Sequence, residues 1–137
     1  MKLNVNLKDK SYEVIVEKGI IKNITPYVDI EKKFLIVSDD RIPNVYINTI
    51  KKQLKKVDVF IFPHGENNKS LDNYKLIIER LVKEDFSRKD YIIALGGGVV
   101  SDLAGFVAST YKRGMNLINI PTTTLAMVDA SVGGKVA

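Results

Sequence analysis

Apolar and polar residues alternate with two different periods along the chain. Near the N-terminus the period is two, in 3–7 and again in 12–16, which predicts a β-hairpin around the polar turn 8–11. From Phe34 onward, short apolar runs alternate with segments of helical period. The runs cover 34–37, 57–62, 91–95 and 117–120. This alternation predicts an α/β fold, a mostly parallel sheet with helices on both faces, preceded by the hairpin.

Three longer helices are predicted between the runs, each with an apolar stripe facing the sheet. The first begins near Pro43, ends near Lys55 and has Val45, Ile50 and Leu54 inward. In the second, 71–83, Ser70 is the expected N-cap and the inward residues are Leu71, Tyr74, Ile77, Ile78, Leu81 and Val82. In the third, which begins at Val99, they are Val99, Leu103, Phe106, Val107 and Thr110. Shorter helical turns are expected in 20–28 and in 123–129, the latter capped by Thr122.

The stretch 91–101, YIIALGGGVVS, joins a strand to a helix through three glycines. Such a turn points free backbone N–H groups and the positive end of a helix dipole at an anion, commonly a phosphate. Alternatively, the glycines only permit a tight turn with positive φ. The spacing is G-x-G-x-x-S, with Ser101 in the third place, and the next strand ends without an acidic residue. The standard dinucleotide-binding fingerprint is therefore not met.

Charged side chains follow two other strands. Asp39 and Asp40 end the run 34–37, and Glu66 and Lys69 lie in the loop HGENNK after the run 57–62. In an open α/β sheet, ligands bind beyond the carboxyl ends of the strands, where carboxylates can accept from ribose hydroxyls and an ammonium can meet phosphate. The alternatives are a helix N-cap for the aspartates and solvated loop charges for Glu66 and Lys69.

Composition narrows the function classes. The 137 residues, 45% hydrophobic and 27% charged, fit one globular domain. There is no cysteine, signal peptide or membrane span, so a cytoplasmic location is expected. The net charge of +5 is densest in Lys51, Lys52, Lys55 and Lys56, but no aromatics interleave and arginine is scarce. A solvated helix face is favoured over nucleic-acid or membrane binding. With one histidine, His64, no complete metal site can be argued.

Four segments together resemble the 3-dehydroquinate synthase family: HGENNK, GGGVVSDLAGF, TYKRG and PTTTLAMVDASVGGK. The resemblance covers the whole chain but less than half of the family's usual length. It implies that residues 1–137 form a Rossmann-like, NAD-binding N-terminal domain, and that the family's C-terminal, mainly helical, metal-binding domain is absent from this chain.

The resemblance also implies roles for individual residues. Asp129 and Lys135 match residues near the reacting carbons and the nicotinamide, and Arg113 matches a basic residue that helps to bind substrate phosphate. The implied NAD-binding positions are Asp39, Glu66, Lys69, Gly97, Gly98, Val99, Asp102, Thr122, Thr123 and Lys135. For Asp102, a carboxylate in the first turn of a helix is favourable without any ligand.

The activity implied is that of the family. The full-length enzyme, a homodimer, converts 3-deoxy-D-arabino-heptulosonate 7-phosphate, a sugar-acid phosphate, to 3-dehydroquinate and phosphate in the shikimate pathway. It uses NAD and a divalent metal, zinc or cobalt, whose ligands lie outside this chain. The 137 residues alone are expected to be inactive.

Departures from the family pattern leave other functions open. Ser101 replaces a common glycine, Thr124 and Met127 stand where Leu and Gln are frequent, and His64 occupies a position often filled by Asp or another small residue. The alternatives are another sugar-phosphate cyclase, a metal-dependent alcohol or glycerol dehydrogenase, and a nucleotide-binding module without catalysis.

Overall fold

The N-terminal segment folds as a two-stranded hairpin. The computed structural model describes residues 1–8 and 11–127. β1 (Lys2–Val5) pairs antiparallel with β2 (Tyr12–Ile15), in the register Lys2↔Ile15 to Val5↔Tyr12. Two short 3-10 turns, Ile20–Lys22 and Thr25–Tyr27, lead into the main sheet. The predicted hairpin is confirmed.

Four parallel strands form the main sheet. They are β3 (Lys33–Asp39), β4 (Lys56–Phe62), β5 (Tyr91–Gly96) and β6 (Asn116–Pro121), in the order β4-β3-β5-β6. The connecting helices are α1 (Asn44–Lys51), α2 (Leu71–Lys83) and α3 (Gly98–Thr110). This arrangement confirms the Rossmann-like α/β fold.

Side chains alternate between two cores, one on each face of the sheet, because successive residues of a strand point to opposite sides. On one face, Leu35 and Ile92 are fully buried beneath α2 and α3. On the other, Phe34 and Ile93 are fully buried beneath α1 and the 3-10 turns. Both faces of β3 and β5 are thus covered, as the uninterrupted apolar runs of these strands require.

The inward faces of the helices differ in part from the prediction. α1 ends at Lys51 and turns Ile47 and Ile50 inward, whereas Val45 is 63% exposed, because two residues along a helix lie on nearly opposite sides. In α2, Ile77 and Leu81 are buried, but Leu71 and Val82 are exposed. Each helix packs against the sheet from one side only, so its buried stripe is narrower than the apolar sequence pattern.

α3 packs more completely than the other two helices. Val100, Ala104 and Ala108 are buried in addition to the predicted Leu103 and Val107, and small residues let the helix approach the sheet closely. Thr110, predicted inside, is exposed at the last turn. Among the described residues, no helix has both the length and the apolar character needed to cross a bilayer.

Candidate functional site

β3 and β5 stop pairing at the carboxyl edge of the sheet, and the position between their ends is called the crevice below. The two strands pair from Phe34↔Tyr91 to Val37↔Ala94 and then part, although each continues for two residues. Just beyond the last pair, Oγ of buried Ser38 donates to the carbonyl of Leu95 at 2.7 Å. Chain order reverses here, since β4 lies on one side and β6 on the other. Ligands of open α/β sheets bind at such a switch point.

The glycine turn forms one wall of this crevice. None of Gly96, Gly97 and Gly98 has a positive φ, so the alternative of a turn that only needs positive φ is wrong. Close approach explains Gly96 instead, because a Cβ there would lie 2.6 Å from Cγ2 of Val100. A Cβ on Gly98 would meet nothing within 4 Å. Gly98 therefore borders open space at the mouth of the crevice.

The first turn of α3 presents backbone donors to that space. Gly97 is the N-cap and provides no side-chain hydrogen bond, and the first intrahelical bond runs from the N–H of Ser101 to the carbonyl of Gly97 at 3.0 Å. The N–H groups of Gly98, Val99 and Val100 precede that bond, at the positive end of the helix dipole. Ser101 turns away, since its Oγ donates to the same carbonyl at 3.2 Å. This arrangement is suited to a phosphate.

Lys69 connects the loop after β4 to the first turn of α3. Nζ of Lys69 lies 2.6 Å from Oε1 of Glu66 and 3.4 Å from Oδ2 of Asp102. The hydrogen bond that Lys69 donates to Glu66 is the largest influence and raises the pKa of Lys69, whereas burial lowers it and Asp102 raises it further. The ammonium is therefore held charged between two carboxylates, beside the first turn of α3.

The loop that carries Glu66 and Lys69 is tied down at both ends. Nδ2 of Asn68 donates to the carbonyl of His64 at 3.0 Å, and Nδ2 of Asn73 donates to the carbonyl of Asn68 at 2.8 Å. Oγ of Ser70 accepts from the N–H of Asn73, which confirms the predicted cap of α2. These contacts hold the loop over the carboxyl end of β4.

Asp40 fixes the start of the same loop through two hydrogen bonds from His64. Its Oδ1 accepts from Nδ1 of His64 at 2.6 Å and from the N–H of His64 at 3.0 Å. The His64 side-chain bond is the main cause of a lowered pKa for the Asp40 carboxyl. Sequence reasoning noted His64 only as a single histidine, too few for a metal site, and as a departure from the family pattern. The signal it missed was an acid at the end of one strand and a histidine at the end of its neighbour.

The other predicted nucleotide residues lie around the glycine turn. Asp39 ends β3 level with the end of β5, and its Oδ1 accepts from the N–H of Arg41 at 2.9 Å. The N–H of Thr122 donates to the carbonyl of Gly96 at 2.9 Å, and a Cβ on Gly97 would lie 3.3 Å from Cγ2 of Thr123. Oγ1 of Thr123 accepts from the N–H of Ala126, so the cap of this helical turn is Thr123 rather than the predicted Thr122.

Arg113 lies at the opposite edge of the sheet. It follows α3 and precedes β6, whose first residue, Asn116, pairs with the first residue of β5. Its backbone φ is 68° and that of Lys112 is 47°, both in the left-handed region. Because α3 has 13 residues, about 20 Å separates Arg113 from the glycine turn. The structure does not bring Arg113 together with the other predicted site residues.

The remaining predicted site residues, Asp129 and Lys135, lie outside the described residues. Within 1–8 and 11–127, no group of three or more His, Cys, Asp or Glu side chains could hold a metal ion. The site that this part of the chain forms is therefore a phosphate-sized set of N–H donors flanked by two carboxylates and an ammonium.

Comparison with known proteins agrees with this geometry. A family model described as 3-dehydroquinate synthase N-terminal matches residues 59–137. A 3-dehydroquinate synthase of Streptococcus suis (strain 05ZYH33) is 44% identical over 142 aligned positions, which cover 98% of this chain and 40% of that protein. The chain thus spans about 40% of the length of this curated relative.

Two solved structures share the fold over nearly the whole chain. A 2-deoxy-scyllo-inosose synthase, in complex with carbaglucose-6-phosphate, NAD+ and Co2+, has a TM-score of 0.86 and 24% identity over 95% of this chain and 38% of that one. A 2-epi-5-epi-valiolone synthase from Streptomyces hygroscopicus subsp. jinggangensis 5008, with NAD+ and Zn2+ bound, has a TM-score of 0.82 and 25% identity over 97% of this chain and 38% of that one.

Proposed function

The chain belongs to the 3-dehydroquinate synthase family, and on that premise we propose that it provides the NAD+-binding domain of an enzyme that makes 3-dehydroquinate. The substrate in this proposal is 3-deoxy-D-arabino-heptulosonate 7-phosphate, and phosphate is the second product. The Streptococcus suis relative with this name is 44% identical, whereas the compared cyclases for other sugars are only 24% and 25% identical. The alternatives, another sugar-phosphate cyclase or a dehydrogenase, are therefore not favoured.

One observation carries the proposal for NAD+: three uncapped N–H groups of α3 open on the crevice beside Gly98, whose missing side chain leaves space for a ligand. The pyrophosphate of NAD+ carries two negative charges and has the oxygen acceptors that such donors require. The residues present fit the cofactor. The compared cyclases, whose structures hold NAD+, add support for this ligand.

Each neighbouring side chain has a role that its chemistry allows. Carboxylates accept from hydroxyls, so we assign Glu66, Asp102 and Asp39 to the ribose hydroxyls. Lys69 keeps the two nearest carboxylates from repelling the pyrophosphate, because its ammonium lies between them. Thr122 and Thr123, at the end of β6, line the same edge and can donate hydroxyl protons to the nucleotide.

The substrate side of the proposal involves residues beyond this cluster. Asp129 and Lys135 are assigned to the reacting carbons and the nicotinamide. Arg113 is assigned to the substrate phosphate, for which a guanidinium is well suited. Because Arg113 lies about 20 Å from its own glycine turn, we assign it to the site of a second copy in the proposed homodimer.

The chemistry depends on two groups: NAD+, which this chain binds in our proposal, and a divalent metal, for which the described residues form no site. When bound, the nicotinamide supplies the transient oxidation of a substrate hydroxyl and the return of the hydride. A divalent metal, zinc or cobalt, polarises substrate oxygens in the full-length enzyme. The described residues position the dinucleotide and fix its phosphates and sugars.

A titration with NAD+ tests the proposal. Thermal unfolding of the chain is followed as NAD+ is raised, since a ligand at 100 times its Kd stabilises the native state by about 2.7 kcal/mol. The melting temperature should rise with NAD+ and with ADP-ribose, which carries the same pyrophosphate and ribose groups. Nicotinamide alone is the control and should have no effect. If folded protein showed no response to NAD+ at millimolar concentration, the proposal would be wrong.

A further inference from the structure

Two side chains, those of Asp40 and His64, connect the loops that follow β3 and β4. A single oxygen, Oδ1 of Asp40, accepts from both the ring Nδ1 and the backbone N–H of His64, at 2.6 and 3.0 Å. Because an ionised carboxylate only accepts, this contact assigns a ring proton to Nδ1. The ring and the backbone of His64 are thus held by one partner.

The contact between Asp40 and His64 is linked through the chain and through hydrogen bonds to the proposed nucleotide-binding residues. On one side, Asp40 directly follows Asp39, and its N–H donates to the carbonyl of Phe62 at 3.1 Å. On the other side, the carbonyl of His64 accepts from Asn68, the residue before Lys69. Glu66 lies between His64 and Asn68, and Lys69 directly follows Asn68. The position of His64 therefore sets the start of the loop that carries both.

We propose that His64 is a positioning residue that couples dinucleotide binding to pH, because its protonation tightens the bond to Asp40 and so fixes the loop of Glu66 and Lys69. This inference rests on the proposed function. The neutral ring donates an ordinary hydrogen bond from Nδ1, whereas the imidazolium donates a charge-assisted bond of roughly twice the strength. Histidine changes charge between about pH 5 and pH 8.

The other charged groups near the pair are two carboxylates, a lysine and an arginine. Arg41 adjoins Asp40, and Asp39, Glu66 and Lys69 lie in the same two loops. Carboxylates, lysine and arginine ordinarily titrate well outside pH 6 to 8. The chain has no second histidine and no cysteine. The His64→Gln and Asp40→Asn variants therefore decide whether a change in NAD+ affinity over this range comes from His64.

The test measures the Kd for NAD+ by calorimetry near pH 6 and near pH 8. The unmodified chain should bind about two- to fivefold more tightly near pH 6, the range expected for an exposed charge pair. His64→Gln and Asp40→Asn should each remove this difference in affinity, and the double variant should have the same effect as either single variant.

The matched control is Glu31→Gln, which breaks the ion pair of Lys55 and Glu31. The Nζ–Oε1 distance of this pair is also 2.6 Å, and the pair lies at the opposite end of the same two strands. Glu31→Gln should keep the pH difference.

Different failures identify different errors. A pH difference that persists in Asp40→Asn would mean that the imidazolium attracts the ligand phosphate directly, and the role through Asp40 would be overturned. Equal affinity at both pH values in the unmodified chain would overturn the inference and leave the proposed function intact. An absence of NAD+ binding at either pH would overturn both.

The single histidine gives an independent readout. Its ring signals are followed by NMR as pH is varied, with and without saturating NAD+. Linkage is reciprocal, so if protonation favours NAD+, bound NAD+ must move the titration curve of the ring to higher pH. The movement should occur in the unmodified chain and in Glu31→Gln, but not in Asp40→Asn. A curve that NAD+ leaves in place in the unmodified chain would contradict the inference.

Discussion

Oγ of Ser38 donates a 2.7 Å hydrogen bond to the carbonyl of Leu95 at the point where β3 and β5 stop pairing. Ser38 is fully buried, and so is Leu95. A buried carbonyl without a partner is costly, and strands that separate leave such groups unpaired. The serine hydroxyl thus allows the crevice to open without an unsatisfied carbonyl at its base.

Ser38→Ala should destabilise the fold by about 1 to 3 kcal/mol, the usual cost of leaving a buried polar group without its partner. The midpoint of urea unfolding would fall accordingly, with an unchanged slope. Ser109→Ala is the control, because its exposed hydroxyl donates to a helix carbonyl, that of Phe106, at 2.9 Å. Equal midpoints for Ser38→Ala and Ser109→Ala would contradict this account.

Lys69→Met tests the charge cluster beside the glycine turn. The variant leaves Glu66 and Asp102 without a cation, so they would repel the pyrophosphate, and NAD+ affinity should fall by about tenfold, or 1.4 kcal/mol. Folding stability should change by less than about 1 kcal/mol, because surface pairs contribute little.

The control for this variant is Lys75→Met, which removes the exposed pair of Lys75 and Glu79 on α2. It should bind NAD+ as the unmodified chain does. A Lys69→Met chain with unaltered NAD+ affinity would show that Lys69 has no part in binding.

Local sequence pattern was enough to predict the strands, the glycine turn and the charged residues beyond β3 and β4. The hydrogen bond between Ser38 and Leu95 was not predictable, because it depends on the register of two strands whose bonded residues lie 57 positions apart. The contact of Lys69 with Asp102, 33 positions apart, depends in the same way on how α3 packs.

The role of Arg113 stays a prediction, but its place in the fold follows from the order of the elements. The family pattern groups it with the site residues, but the order of elements alone places it elsewhere, since a residue between α3 and β6 must lie at the amino edge of a parallel sheet. The cytoplasmic location and the homodimer stay predictions.

Asp90 is expected to make the fold sensitive to acid. Burial alone would raise the pKa of its carboxyl, but hydrogen bonds from the N–H groups of Ser87 and Lys33, at 2.7 and 2.8 Å, outweigh burial and lower it. A lowered pKa means that the ionised form stabilises the native state above the ordinary aspartate range and that this stability is lost as pH falls below about 4.

Asp90→Asn should lower the free energy of unfolding at neutral pH by about 1 to 3 kcal/mol, since an amide can accept only one of the two bonds. Its stability should also fall less steeply than that of the unmodified chain between about pH 4 and pH 2. Urea unfolding at several pH values measures both effects. Asp72→Asn, which changes an exposed carboxylate, is the control. Parallel pH profiles for Asp90→Asn and the unmodified chain would refute the assignment.

The 137 residues alone should show no synthase activity. The described part of the chain has no group that could hold the catalytic metal, and the proposed substrate pocket requires residues outside it. Phosphate release from 3-deoxy-D-arabino-heptulosonate 7-phosphate, with NAD+ and zinc, should equal that of a protein-free mixture. The full-length synthase of Streptococcus suis is the positive control. Release above the protein-free rate would contradict this prediction.

Gly96 and Gly98 allow folding and ligand binding to be separated. A Cβ on Gly96 would lie 2.6 Å from the side chain of Val100, so Gly96→Ala should destabilise the fold by about 1 to 3 kcal/mol. A Cβ on Gly98 would meet no atom within 4 Å, and alanine favours helices, so Gly98→Ala should leave the melting temperature unchanged or higher. The same methyl group would occupy the space in which the pyrophosphate must approach the N–H groups of α3. NAD+ affinity of Gly98→Ala should therefore fall by about tenfold or more. If Gly98→Ala bound NAD+ as the unmodified chain does, the phosphates would have to lie elsewhere than at the glycine turn.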